Sequence, residues 1–69
     1  MEIVYSNHAK RRMKERGFEE WEIEHLLKHP SYIKKSSEGK KEFAGEIRNR
    51  KVKIISIQEE NYIKIITVI

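Results

Sequence analysis

The chain has 69 residues, of which 15 are lysine or arginine and 11 are acidic, giving a formal net charge of +4. A chain of this length forms one small domain, spanning 1–69, that buries only about 60% of its unfolded surface. It has no cysteine, which excludes disulfides and thiolate metal sites and is typical of a reducing cytoplasm. With no secretory leader and no apolar run near the roughly 20 residues of a membrane span, we expect a cytoplasmic protein without membrane contact.

Charges of opposite sign are segregated along the chain. Residues 8–16 contain five bases and one glutamate, whereas residues 19–24 contain four glutamates and no base. A second basic region, 34–53, contains eight bases and three glutamates. If the fold brings the two basic regions together, they form one positive surface, which favours an anionic partner.

Local signals predict two helices at the start of the chain. Ser6 or Asn7 can cap a helix over 7–16, and Gly17 is typical of the residue just past a helix end. A second helix is predicted from about 19 to 29, because Pro30 cannot continue it and its acidic first turn suits the helix dipole. Trp21 falls opposite the apolar stripe of this helix, so we expect it to fold over an edge of the core or to contact a partner.

The remaining residues have the alternating pattern of β-strands. Polar turn candidates separate four such runs, which read SYIKKS, KKEFAGEI, KVKIISIQ and NYIKIITVI. Short links favour an antiparallel meander, so the predicted fold is an α+β domain with both helices on one face of a roughly four-stranded antiparallel sheet. The run EIVY near the start is a candidate for a further short edge strand.

The first predicted helix places three chemically active side chains in one row. At about 100° per residue, His8, Arg12 and Arg16 line up along the border of the stripe of Ala9 and Met13 that faces the core. A guanidinium held at such a border suits phosphate binding, and an imidazole there can exchange protons near neutral pH. The alternative is a basic flank that serves only solubility, which is common in a chain with 38% charged residues.

The stretch HAKRRMKERG matches, residue for residue, a pattern H-A-x-x-R-M-x-x-R-G. This pattern resembles the opening of a family of short prokaryotic domains of unknown function that is grouped with the barnase, EndoU, colicin and RelE type ribonuclease superfamily. The resemblance extends over FEEWEIEHLLKHP and the closing IKIITVI, although many relatives have serine or threonine where this chain has Glu19. It implies a RelE-like fold and metal-independent endoribonuclease activity, with the protein acting as the toxin of a toxin–antitoxin pair.

Metal-free RNA cleavage needs a base for the 2′-hydroxyl proton, cations for the charge on phosphorus and an acid for the leaving oxygen. We therefore assign His8 as acid or base and Arg12 as the phosphate clamp. Arg16 is either a second clamp or the structural partner of a glutamate in the second helix. Further candidates for RNA contact, all in or near the strands, are Lys41, Arg48, Lys53 and Thr67. Thr67 could instead contact His8 and hold it in position, or it could be an ordinary β-branched strand residue.

No cofactor and no metal ion are expected. His25 and His29 are spaced like a helical metal pair, but the sequence lacks the HExxH register and an obvious third ligand. Three tyrosines could stack on bases, namely Tyr5, Tyr32 and Tyr62. Tyrosines in strands are, however, usually packing residues.

The last strand is apolar on both predicted faces. Simple alternation places Ile63, Ile65 and Ile69 on one face and Ile66 and Val68 on the other. Two helices cannot cover both faces, so we expect the sheet to curl or a partner to cover it, either a second copy or an antitoxin. The alternatives to an enzyme are a non-catalytic RNA-binding module and a protein-interaction domain.

Overall fold

A computed structural model of the chain describes residues 2–36 and 38–69. Its elements follow in the order β1 (Glu2–Tyr5), α1 (Asn7–Arg16), α2 (Glu20–Lys28), β2 (Tyr32–Lys35), β3 (Lys40–Ile47), β4 (Arg50–Gln58) and β5 (Tyr62–Val68). The predicted α+β class with two N-terminal helices is confirmed. The sheet has one strand more than predicted, because the EIVY run joins it.

Five strands form a single sheet in the order β1-β5-β4-β3-β2. Strands β2 to β5 form the predicted antiparallel meander. Strand β1 pairs in parallel with β5, with Glu2 opposite Tyr62 and Tyr5 opposite Ile65. The sheet is therefore mixed, and its two edges are β1 and β2.

Helix α1 has the predicted bounds because both of its caps form. The Ser6 hydroxyl accepts a hydrogen bond from the Ala9 backbone N–H at 3.0 Å and donates one to the Ile66 carbonyl at 2.7 Å. One side chain thus begins the helix and ties it to β5. Gly17 ends the helix with φ of 73°, a left-handed conformation that glycine adopts without a steric penalty.

Helix α2 is one residue shorter at each end than predicted, with Glu19 and His29 as its flanking caps. Glutamate is not a preferred residue at the N-cap. Here the Glu22 carboxylate reaches back and accepts a hydrogen bond from the Glu19 backbone N–H at 3.0 Å. This bond satisfies one of the free N–H groups at the start of the helix.

Both helices contribute to one hydrophobic core on one face of the sheet, called here the helix-bearing face. Helix α1 packs mainly on β5 and α2 on β3. The approach of α2 is close, because a Cβ at Gly45 would lie 2.9 Å from Leu26 Cγ. Neither helix packs on the other side of the sheet, called here the open face. The core residues are Ala9, Met13, Phe18, Ile23, Leu26, Phe43, Ile47, Val52, Ile54, Ile65 and Val68.

A register shift in β5 corrects the predicted distribution of its apolar side chains. Ile65 pairs with Ser56, but Thr67 pairs with the adjacent Ile55, so β5 contains one extra residue, Ile66. An extra residue reverses the alternation beyond it. The prediction that Val68 and Ile65 lie on opposite faces is therefore wrong: both are fully buried, whereas Ile69 is 53% exposed.

The phenolic oxygen of Tyr5 is buried and has no hydrogen-bond partner among the described residues. Burial, and then the negative charges of Glu24 and Glu20, raise the pKa of Tyr5 to about 12. The unfolded chain therefore releases this proton at a lower pH, near 10, than the folded domain does. The contribution of this proton to the free energy of unfolding is fully present below about pH 10 and is lost as the pH rises to about 12.

We expect Tyr5→Phe to stabilise the domain by about 1 kcal/mol near neutral pH, because it removes a buried hydroxyl that lacks a partner. In the variant, the free energy of unfolding should no longer fall at high pH through the titration of Tyr5. Urea unfolding of both proteins at pH 8 and pH 11 measures the two effects. The advantage of the variant should be larger at pH 11, and an advantage that does not change with pH would contradict the titration.

Candidate nucleic-acid interface

Helix α1 carries His8, Arg12 and Arg16 in one row, which is called here the cationic row. Successive members are four residues apart, or about 6 Å along the helix axis, so the row spans about 12 Å. Burial follows the helical wheel: Ala9 and Met13 are buried, Arg12 and Arg16 are half-buried, and His8 is exposed. None of the three side chains has a hydrogen bond or an ion pair within residues 2–36 and 38–69. Their donors are therefore free to bind an external group.

The glutamate of α2 that was considered as a partner for Arg16 pairs instead with Arg48. Arg48 Nε lies 2.8 Å from Glu22 Oε2, and Arg48 Nη2 donates to Glu22 Oε1 at 3.0 Å. Arg48 Nη2 also donates to the Gly17 carbonyl. Arg48 thus joins the β3–β4 turn to both helices, and its proposed RNA contact would compete with these bonds.

A second arginine of the same hairpin also reaches the end of α1. Arg50 Nη1 donates to the Arg16 carbonyl at 3.0 Å. The guanidinium groups of Arg50 and Arg48 lie 5.0 Å and 5.9 Å from the centre of the buried Phe18 ring. Two cations therefore complement the negative end of the α1 dipole. Both arginines of the turn have a structural role that the sequence analysis missed.

The other predicted RNA contacts are divided between the two faces of the sheet. Lys41 pairs with the buried Ser56 on the helix-bearing face. Lys53 pairs with Ala44, and Thr67 pairs with Ile55, on the open face. Because α1 lies on the helix-bearing face, the expected contact between Thr67 and His8 is not formed. The structure does not gather the predicted residues into one cluster.

A groove on the open face brings together two of the predicted residues, Arg16 and Lys53. Strand β2 begins with Tyr32 opposite Ala44, and Ile69 exchanges backbone hydrogen bonds with Lys53 at 2.8 and 3.0 Å. Beyond these points the β3–β4 hairpin has no paired neighbour among residues 2–36 and 38–69. The resulting notch, defined here as the terminal groove, has a volume of about 580 Å³ and is lined by Arg16, Ser31, Tyr32, Ala44, Gly45, Glu46, Lys51, Val52, Lys53 and Ile69.

The lining of the terminal groove combines positive charge with apolar surface. Three cationic side chains accompany a single acidic side chain, that of Glu46. The Tyr32 hydroxyl donates to Glu42 Oε2 at 3.3 Å, and the Tyr32 residue is still 48% exposed. The sequence analysis missed Lys51, although it lies two residues before Lys53 on one strand and so faces the same side. Tyr32 was considered for stacking but could not be distinguished from a packing residue.

Other features of the described chain are limited in what they can do. No group of three or more His, Cys, Asp or Glu side chains among these residues could hold a metal ion. The rings of His25 and His29 lie 4.9 Å apart. Neither helix is long and apolar enough to cross a membrane. Trp21 is 65% exposed and its indole N–H donates to Glu19 Oε2 at 3.1 Å, so the prediction that it folds over an edge of the core is wrong, whereas its contact with a partner stays a prediction.

Comparison with known proteins identifies the family but no activity. No curated protein matches the chain, and no solved structure matches it. Residues 5–69 match the family described as Domain of unknown function (DUF4258). This match includes both helices, the cationic row and the terminal groove. The chain therefore belongs to the DUF4258 family.

Proposed function

We propose that this domain binds RNA and cleaves it as a metal-independent endoribonuclease. The observation that carries the proposal is the cationic row, in which an exposed imidazole stands one helical turn from a half-buried guanidinium, neither of them with a partner among the described residues. The resemblance of HAKRRMKERG to the opening of a family of short domains that is grouped with the RelE type ribonucleases supports the same activity. Family membership alone implies no activity, so the relation to these ribonucleases, including the RelE-like character of the fold, is part of the proposal.

The binding step is electrostatic. Arg12 and Arg16 offer two positive charges about 6 Å apart along the axis of α1, which allows one strand of a polyanion to follow the helix. Arg12 and Arg16 can each donate two parallel hydrogen bonds to a phosphate, a geometry that lysine cannot provide. Because neither guanidinium is engaged by another described residue, binding a phosphate breaks no ion pair seen in the structure. The net charge of +4 adds a favourable long-range field.

The proposed reaction begins with His8 as a general base. The imidazole takes the proton of a ribose 2′-hydroxyl, and the 2′-oxygen forms a bond to the adjacent phosphorus. The bond from phosphorus to the 5′-oxygen breaks, and that oxygen receives a proton from the imidazolium or from water. The Arg12 guanidinium stabilises the charge that develops on the phosphoryl oxygens. The products are a 2′,3′-cyclic phosphate and a 5′-hydroxyl end.

The test uses the purified domain with a short RNA and with DNA of the same sequence. We expect cleavage of RNA alone, because DNA lacks the 2′-hydroxyl, and we expect the activity to persist in a chelator. For a single strand, the logarithm of the binding constant should fall with the logarithm of the salt concentration by a slope of about −0.7 for each phosphate neutralised, or about −1.4 for the two arginine contacts. RNA binding without cleavage would favour the non-catalytic RNA-binding module, and the absence of binding near physiological salt would favour a protein-interaction domain.

The toxin role is a separate part of this proposal. An active endoribonuclease of this kind would arrest growth when expressed alone, and an antitoxin would relieve the arrest. We therefore expect wild-type expression to stop growth and to fragment cellular RNA. The toxin role would be contradicted by normal growth and intact RNA in cells that contain as much soluble domain as they do of other small expressed proteins. A second copy of the chain remains the other predicted partner.

A further inference from the structure

The terminal groove extends the cationic row onto the open face of the sheet. Arg16 is the last member of the row and also lines the groove, together with Lys51 and Lys53. A strand that follows α1 from His8 to Arg16 therefore arrives at an opening with further positive charge. Its volume of about 580 Å³ lies within the range of about 300–1,000 Å³ that is typical of small-ligand sites.

The chemistry of the groove fits a ligand with a planar apolar part and an anionic part. Ala44 is buried on the open face, and Ile69 and Tyr32 are about half exposed on either side of it. The bond from Tyr32 to Glu42 restrains the ring without covering it. Aromatic and apolar side chains of this kind bind the faces of unstacked bases. Cationic side chains nearby bind phosphate.

We propose that the terminal groove binds one unstacked nucleotide of a single-stranded RNA, an inference that rests on the proposed function. The base lies against Tyr32 and the apolar surface of Ala44 and Ile69. The adjoining phosphate is bound by Arg16 and Lys53, with Lys51 next to it. Duplex bases are paired and stacked and cannot enter, so the groove selects single strands.

The groove favours a nucleotide over an acidic protein segment because its cations surround an exposed aromatic ring. Glu46 lies opposite Lys51 in the β3–β4 pairing and reduces the net charge of the lining to about +2 by formal counting. An acidic peptide would gain from the cations but would place no planar group against Tyr32. Competition between a peptide and a nucleotide separates these two occupants.

The first experiment probes the groove directly with adenosine 5′-monophosphate. Backbone NMR spectra of the intact domain should show shifts at Tyr32, Ala44, Lys53 and Ile69 when this nucleotide is added. Adenosine and ribose 5′-phosphate should each bind more weakly than the complete nucleotide, because each occupies half of the site. Shifts confined to residues outside the groove would overturn the assignment. The assignment would also fail if a hexaglutamate peptide displaced the nucleotide and bound the domain more tightly than single-stranded RNA does.

The second experiment measures the affinity of single-stranded RNA for groove variants. Tyr32→Ala should weaken binding by about 5- to 150-fold, the range for loss of one base stacked on an aromatic ring. Tyr32→Phe should retain most of the affinity. Lys53→Gln should reduce the salt slope by about 0.7. The matched control is Lys34→Gln, because Lys34 is an exposed lysine in β2 that does not line the groove, and its effect on affinity should be smaller.

The outcomes separate the groove from the function on which it rests. If RNA binds but Tyr32→Ala and Lys53→Gln behave like Lys34→Gln, the groove proposal fails and the proposed RNA binding stands. If RNA does not bind at all, the proposed function fails, and the nucleotide titration alone decides whether the groove is a nucleotide site. Unchanged NMR spectra away from the substitution verify that each variant is folded.

Discussion

His8→Ala should lower the rate of RNA cleavage by about 10²- to 10⁴-fold, the usual contribution of a general acid or base. RNA affinity should change by less than about threefold, because the phosphate contacts come from the arginines. The imidazole is exposed and has no partner within the described chain, so its removal should leave the unfolding midpoint nearly unchanged. The measurement is single-turnover cleavage at saturating protein, beside a binding assay at the same salt concentration.

Two further variants of this position and one control make the result specific. His8→Gln retains a hydrogen-bonding group but cannot exchange a proton near neutral pH, so it should be as inactive as His8→Ala. His25→Ala removes another exposed histidine, whose ring lies 4.9 Å from that of His29, and should leave cleavage unchanged. If His8→Ala retains full activity, the cationic row is not the cleavage site. Equal losses in His8→Ala and His25→Ala would show that the assay reports a property other than catalysis.

Glu22→Ala should lower the free energy of unfolding by about 2–4 kcal/mol. Breaking a buried ion pair costs about 3–5 kcal/mol, and the cost is smaller here because the partner returns to water. The Glu22 side chain is 7% exposed, whereas that of Arg48 is 56% exposed. The substitution also removes the hydrogen bond to the Glu19 backbone N–H, worth about 1 kcal/mol at a helix start. A domain of this size has a total stability of only about 3–10 kcal/mol, so the effect is a large fraction of it.

Chemical denaturation of the wild type and five variants isolates the contribution of the ion pair. Glu20→Ala is the matched control, because Glu20 is an exposed glutamate in the same first turn, and it should cost less than about 0.5 kcal/mol. A double-mutant cycle of Glu22→Gln and Arg48→Met should give a coupling of at least about 1 kcal/mol, above most exposed pairs. A loss in Glu22→Ala no larger than that in Glu20→Ala would contradict the structural role of this contact.

Signals that act within a few residues made the helices predictable from the sequence. Ser6 and Gly17 fix both ends of α1 through bonds and backbone angles that involve only neighbouring residues. Pro30 limits α2 for the same reason. The wheel positions of His8, Arg12 and Arg16 follow from helix geometry alone, so the cationic row was predictable once α1 was recognised. Its chemical role rests on residue type and motif resemblance.

Pairings between distant residues were not predictable in the same way. The ion pair of Glu22 and Arg48 joins residues 26 positions apart, and nothing in the sequence favours Arg48 over Arg16 as the partner. The extra residue Ile66 in β5 reverses the direction of Val68 and Ile69, yet the sequence there is a plain apolar run. Register is a property of two strands together, and an apolar run satisfies more than one register.

The sequence by itself determined the α+β class, the bounds of the first helix and the row of one imidazole and two guanidinium groups, because each depends on short-range stereochemistry and periodicity. Only the tertiary structure decided which arginine pairs with Glu22, which face each strand residue occupies and where the terminal groove lies. The groove lies beside the part of the β3–β4 hairpin that pairs with neither β2 nor β5 among the described residues, and this offset is fixed by hydrogen bonds between strands that are distant in the chain.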